Sequence, residues 1–260
     1  MAKSSRRNRR IPVKEMRFNN DPMVRFYEST QEWLQERGRP VVLVVGIIVA
    51  AVLLYTAGYY FFEYRESKAQ SAFAEAYEKY KAPVLGSVTT TMPTGKTYSD
   101  ENTKWQETAD AFERVANDYS GYYGSMARYY AGTAYLHLDR AKGMAMLEQV
   151  AGSNDQPSAD LARFALAEAA MMNNEADKAI SEYEKLLNSP HVPKQAVQFA
   201  AGRAYEKAGQ TEKAVESYFE AAKVDRSSGV GADAEKRLSV LAPARVKELP
   251  APSTVPLGLQ

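Results

Sequence analysis

The chain has 260 residues, 45% hydrophobic and 25% charged, with a formal net charge of +1 and no cysteine. Without cysteine there is no disulfide framework, no thiolate metal site and no thiol nucleophile, and a near-neutral total differs from that of a globally basic nucleic-acid binder. The charge is unevenly placed: residues 1–39 carry ten Lys or Arg against five Asp or Glu, which leaves 23 basic and 27 acidic residues for the rest.

The basic arm, residues 1–39, comes first. Asp21-Pro22 is a helix start, with the acid as cap and proline in the first turn. Met23, Phe26, Thr30, Trp33 and Leu34 then share one face, which predicts a short amphipathic helix along a membrane surface. The basic stretch ahead of it reads as a topology determinant or lipid contact, with an RNA-binding arm as the alternative.

Residues 40–62 contain no charge, and Val41–Phe62 is an apolar run broken only by small and aromatic residues. At about 1.5 Å per residue this run makes roughly 33 Å of helix, enough for a hydrocarbon core of about 30 Å. Tyr59, Tyr60, Phe61 and Phe62 suit the headgroup boundary. The run is longer and later than the apolar region of a cleaved signal peptide, so it reads as an uncleaved anchor. Basic residues close to the run are balanced on its two sides, but the short arm as a whole is basic, which orients the N-terminus toward the cytoplasm and residues 63–260 away from it.

From residue 63 to 242 the composition is rich in Ala, Glu, Lys, Leu and Tyr at helical periodicity, and no stretch alternates as a strand does. Small residues betray a period of 35: Gly132, Ala167 and Gly202 in one helix of each unit, and Thr108, Gly143, Ala179 and Ala214 in the other. Four residues after each member of the second set stands a bulky one, Phe112, Leu147, Tyr183 and Tyr218, and three further on come Val115, Val150, Leu186 and Ala221. Small residues let antiparallel helices approach while the large ones fill the adjoining holes. The pattern predicts helices near 65–82, 99–118, 122–138, 140–152, 157–173, 175–188, 192–208, 210–225 and 231–241. Turns are expected at Asp139-Arg140, Asn173-Asn174 and Gly209-Gln210, and loops at Gln156-Pro157 and Ser189-Pro190. The stretch 83–98 reads as a surface insertion. The last predicted helix caps the array, and residues 243–260, with four prolines, are expected to be disordered.

The repeat resembles the tetratricopeptide repeat, most plainly over residues 200–214, AAGRAYEKAGQTEKA, continuing to Tyr218 and Ala221. The sequence departs from that family in lacking its early tryptophan, in carrying Ala170 where it has tyrosine, and in approximating its closing proline only at Pro190. Together with the apolar run, the resemblance gives the expected fold: all-α, one N-terminal transmembrane helix followed by a tetratricopeptide-like helical-repeat solenoid. It also implies that Tyr129, Phe164 and Phe199, then Thr133, Glu168 and Arg203, then Leu136, Met171 and Glu206 face a concave groove. The Lys and Asn with which one family subtype clamps a terminal carboxylate are absent. An aromatic groove with a Met would suit extended, sequence-diverse segments, while the same rings could instead pack between repeats.

Catalysis finds little support. His137 and His191 are the two histidines, neither beside a nucleophile motif, and Gly229-Val230-Gly231 lacks the strand and the Gly-Lys-Ser/Thr of a phosphate loop. No enzyme, cofactor, metal, nucleic acid or small-molecule substrate is expected; the partners are proteins. The layout of basic arm, uncleaved span and exported helical repeats resembles the ancillary subunit family of the bacterial Sec translocon. That resemblance implies a single-pass inner-membrane protein with its repeats in the periplasm, contacting the SecYEG channel and a membrane-anchored chaperone and helping to pass on exported polypeptides. A repeat scaffold for envelope assembly or cell-division machinery is the alternative.

Overall fold

The computed structural model describes residues 22–85 and 95–251. The basic arm before Pro22, residues 86–94 of the insertion and residues 252–260 of the tail lie outside the described residues. Contacts divide the chain into two units, one ending at Glu63 and the other beginning at Tyr64.

Helix α1, Pro22–Lys81, runs through residues for which the sequence predicts three separate segments: the surface helix, the span and the first repeat helix. Pro40 lies inside it. A proline removes one backbone hydrogen bond, yet the apolar run that follows keeps its backbone polar groups paired in apolar surroundings only by staying helical. In the first unit the side chains of the apolar run are on the outside, Leu54 at 75% exposure and Leu43 and Ile47 each at 66%. The stretch from Gly38 has a mean hydropathy of 2.7 in its most apolar window, none of it buried, so this helix is long and apolar enough to cross a membrane.

The second unit, taken by itself, consists of the end of α1 followed by α2 (Glu101–Asp118), α3 (Gly121–Leu138), α4 (Arg140–Ala151), α5 (Gln156–Met172), α6 (Ala176–Leu186), α7 (Lys194–Lys207), α8 (Thr211–Val224), α9 (Gly229–Leu241) and the short α10 (Pro243–Val246). The boundaries follow local chemistry. Asp100 and Asp139 accept the backbone N–H of Thr103 and Lys142 and so cap α2 and α4. Asn174 and Gly209, 35 residues apart, both take the left-handed conformation, φ 62° and 71°. Beyond them Glu175 N–H returns to Ala170 O and Gln210 N–H to Tyr205 O, closing α5 and α7 in the same way.

Each helix from α2 to α9 packs on the next. The 35-residue register is the packing register: Thr108, Ala179 and Ala214 have no exposed surface, nor do Phe112, Leu147, Tyr183 and Tyr218. Gly143 shows why the register needs small residues, since a Cβ there would lie 2.6 Å from Leu136 N and 2.8 Å from Gly132 O. A second periodic device joins successive units. Arg128 donates to Ala116 O and Arg163 to Ala151 O, each guanidinium reaching a carbonyl at the end of the preceding outer helix.

Among the described residues the only extended pairing is an isolated bridge between Val84 and Tyr98 at the base of the insertion. Tyr98 is buried there and donates its hydroxyl to Glu107, so the roots of this loop belong to the folded unit. The expectation of disorder from residue 243 is corrected for 243–251. Pro243 starts α10, Leu249 is buried in the core cluster with Ala234 and Leu238, and Arg226 donates both to Glu235 and to Pro250 O. Proline count alone missed that Leu241, Val246 and Leu249 are spaced to cover the end of the array.

Candidate functional site

Helices α3, α5, α7 and α9 touch in succession as well as through their intervening partners. This sets residues of equal phase on these inner helices side by side. Glu168, Met171 and Met172 of α5, Arg203, Glu206 and Lys207 of α7, and Arg237 of α9 line one cleft of about 460 Å³.

The cleft is built on two repeated triads. Tyr183, fully buried on α6, donates its hydroxyl to Glu168, whose other oxygen faces Arg203 at 3.9 Å. Tyr218, fully buried on α8, donates to Glu206 at 2.7 Å, and Arg237 approaches the other oxygen of Glu206 at 3.4 Å. Burial first, and then the bond to a carboxylate, pushes both tyrosine hydroxyls well above the ordinary value of 10.0. They therefore remain protonated donors, and each carboxylate is fixed as an acceptor by a buried ring. The same pairing recurs outside the cleft, where Tyr205 donates to Glu184 and is pushed up to about 12 by the same two causes. Lys207 donates to Met171 O at 2.8 Å, leaving the cleft with three cations against two carboxylates.

Of the residues that the sequence places on this face, Glu168, Met171, Arg203 and Glu206 come together in the cleft. Phe164 and Phe199 lie one turn before Glu168 and Arg203 and turn half-buried rings onto Tyr183 and Tyr218, with centroids 5.6 Å and 5.7 Å apart. Tyr129 is half-buried against Tyr130 and against the cluster of Leu147, Val150 and Ala162, which Leu136 also joins. Thr133 returns its hydroxyl to Tyr130 O of its own helix. Met172, Lys207 and Arg237 are the cleft residues that repeat phase overlooks. Met172 and Lys207 stand at helix ends, outside the repeated groove positions, and Arg237 lies on the helix assigned only a capping role. The charged residue at the first turn beyond a small packing residue was the available signal.

His137 lies face to face with Trp105, ring centroids 3.9 Å apart, and His191 sits in the loop before α7. Among the described residues no group of three or more His, Asp or Glu is arranged to hold a metal.

The sequence profile of the tetratricopeptide repeat-like domain matches residues 31–242, from ahead of the apolar run to the end of α9, and the chain belongs to that family. Solved structures similar to it include two of the nearly identical tetratricopeptide-like repeats of a putative kinesin light chain from Podosopora anserina. One, a point-substituted form, is 21% identical, covers 57% of this chain and 84% of its own, and gives a TM-score of 0.45. The other is 22% identical over 57% of this chain and 85% of its own, with a TM-score of 0.44. No curated protein matches.

Proposed function

We propose that this tetratricopeptide repeat-like chain is a membrane-anchored protein-interaction module of the bacterial inner membrane. Its N-terminal arm is cytoplasmic and its repeats are periplasmic. It associates with the Sec translocon and hands exported polypeptides to a membrane-anchored chaperone. Family membership supports the coarser part of this reading, because stacked helical repeats form extended inner faces suited to protein partners. The anchor is supported by the charge-free run and its exposed apolar side chains, the direction by the basic arm.

The observation that carries the binding role is the cleft on α5, α7 and α9, where the charged side chains and Met172 stay open to solvent above a floor of buried tyrosines. In this reading Glu168, Met171 and Arg203 contact the polypeptide. Phe164, Phe199, Tyr129, Thr133 and Leu136 form the groove wall to either side.

Two experiments test the proposal. Reporter domains fused after Gln260 should be active only in the periplasm, and those fused before Pro40 only in the cytoplasm; the reverse pattern would remove the localisation. A photo-cross-linker on the inner face should then capture translocon subunits and a stalled exported chain in intact cells. Capture of one fixed envelope or division protein, with no exported chain, would replace the handover reading with a scaffold.

A further inference from the structure

We infer that the cleft between α5, α7 and α9 selects extended polypeptide segments carrying acidic side chains next to an apolar one. This rests on the protein-binding reading above and specifies what that face prefers.

The inference comes from how the charges are held. Glu168 and Glu206 are the more enclosed partners, with side chains 31% and 32% exposed, and each has an oxygen occupied by a buried tyrosine hydroxyl. Arg203 and Arg237 are the outer partners, 45% and 55% exposed, and each meets its carboxylate through a single long contact of 3.9 Å or 3.4 Å. A guanidinium carries five N–H donors in a planar fork, so most donors of both arginines remain unspent on the open side. The acceptors thus point inward and the donors outward. A ligand arriving from solvent meets two forks suited to carboxylates, and the cleft lining sets no third carboxylate in front of them.

The apolar half of the specificity comes from methionine. Met172 is 72% exposed at the cleft rim, and Met171 lines the cleft with little exposure. Methionine is flexible and polarisable, so it receives apolar side chains of different shapes. The two arginines belong to α7 and α9, packed neighbours whose axes are spaced by roughly 8–10 Å as in other helix pairs. An extended chain covers that distance in about three residues, so one segment can present carboxylates to both forks.

The test uses the full-length protein in detergent micelles and fluorescein-labelled peptides with amidated C-termini, read by fluorescence polarisation. One peptide carries two Asp or Glu residues three apart with a Leu between them; the others replace the acids with Gln or with Lys. The acidic peptide should bind at least about tenfold more tightly than the Gln peptide, as expected for charge-assisted bonds. The R203Q/R237Q variant should erase that preference while keeping its melting temperature, and Lys213→Gln on the outward side should keep it. Raising salt from about 50 to about 300 mM should weaken acidic-peptide binding alone, since exposed charges are screened.

Equal affinity for the three peptides, or an unchanged preference in R203Q/R237Q, would overturn the inference. So would a requirement for a free C-terminal carboxylate in place of acidic side chains. If no peptide binds while cross-links to exported chains persist in cells, the acidic preference falls and the protein-binding reading stands. Loss of both would remove the reading itself.

Discussion

The helix pairs α3–α4 and α7–α8 occupy equivalent places in the repeat and close by different means. Between α3 and α4 two glycines face each other. A Cβ on Gly143 would meet the backbone of α3, and one on Gly132 would come 3.0 Å from Leu147 Cγ. Between α7 and α8 one glycine faces a ring: a Cβ on Gly202 would lie 2.8 Å from Tyr218 Cδ1 and Cε1. The second solution leaves a hydroxyl at the far end of the filling residue, and that hydroxyl holds Glu206 in the cleft. Leu147 at the equivalent place on α4 has no such handle. Both pairs fill the hole beside their small residues with a large buried side chain, while a polar anchor is placed only in the later units, where the charged cleft is.

The largest expected effect separates the two pairs directly. Gly143→Ala puts a methyl against main-chain atoms that cannot step aside, so its cost should sit at or beyond the top of the usual overpacking range of about 1–3 kcal/mol. Gly202→Ala meets the buried Tyr218 ring, which must shift to admit the methyl, but a side chain can move where main chain cannot, so it should cost less than Gly143→Ala, with Gly202→Leu restoring a loss of the first size. Thermal melts of the full-length protein followed by circular dichroism measure all three. Equal melting temperatures for Gly143→Ala and Gly202→Ala would mean that backbone contact does not limit the first pair.

Next comes alkaline sensitivity. Tyr205 and Tyr129 are raised to about 12, and Tyr183 and Tyr218 are raised further, all from 10.0. A raised value in the folded state means that the protonated form is favoured by folding. Its contribution is therefore complete below about pH 10, where the unfolded chain also keeps its protons, and is lost as pH rises toward the folded values. Stability should be level in this respect up to about pH 9.5 and fall steeply between about pH 10 and 12. Replacing Tyr205, Tyr183 and Tyr218 by Phe should flatten the fall.

Tyr218→Phe alone should cost about 1.5–3 kcal/mol at neutral pH, the usual worth of a hydrogen bond to a charged group. It should also loosen Glu206. A Leu147→Met substitution, which alters the polar-free pair at nearly constant volume, should cost less than about 1.5 kcal/mol.

The smallest effect has the opposite sign. Thr108 is the first-unit equivalent of Gly143, Ala179 and Ala214, is fully buried, and its hydroxyl has no hydrogen-bond partner among the described residues. Thr108→Val keeps the shape and removes the orphan, so it should stabilise the fold by about 1 kcal/mol. A destabilised Thr108→Val would show that the hydroxyl is satisfied.

The helical array was legible because its signals are local and repeated. Asp139, Asn174 and Gly209 mark helix ends through the chemistry of a single residue, and the 35-residue spacing of small and large residues identifies the contact face without any knowledge of the partner helix. The cleft was legible in part. Phase on one helix places Glu168, Met171, Arg203 and Glu206 on the inner face, but whether a ring at that phase lines a groove or packs on a neighbour depends on the helix beside it. Phe164 and Phe199 have Tyr183 and Tyr218 to lean on, and those pairings join residues 19 apart on different helices. Arg237 was missed for a similar reason: its role appears only when α9 is set against α7. The folded segment 243–251 was hidden because apolar spacing across prolines carries no helical period.

In the proposed function, proteins bind on the face formed by α5, α7 and α9. A photo-reactive amino acid at Met172, exposed at the cleft rim, compared with one at Lys213 on the outward side, tests it most directly in the full-length protein in its own membrane. The expected result is cross-linked polypeptide adducts from Met172 that disappear in the R203Q/R237Q background, with none from Lys213. Adducts of equal strength from Lys213, or from Met172 irrespective of the two arginines, would contradict the account.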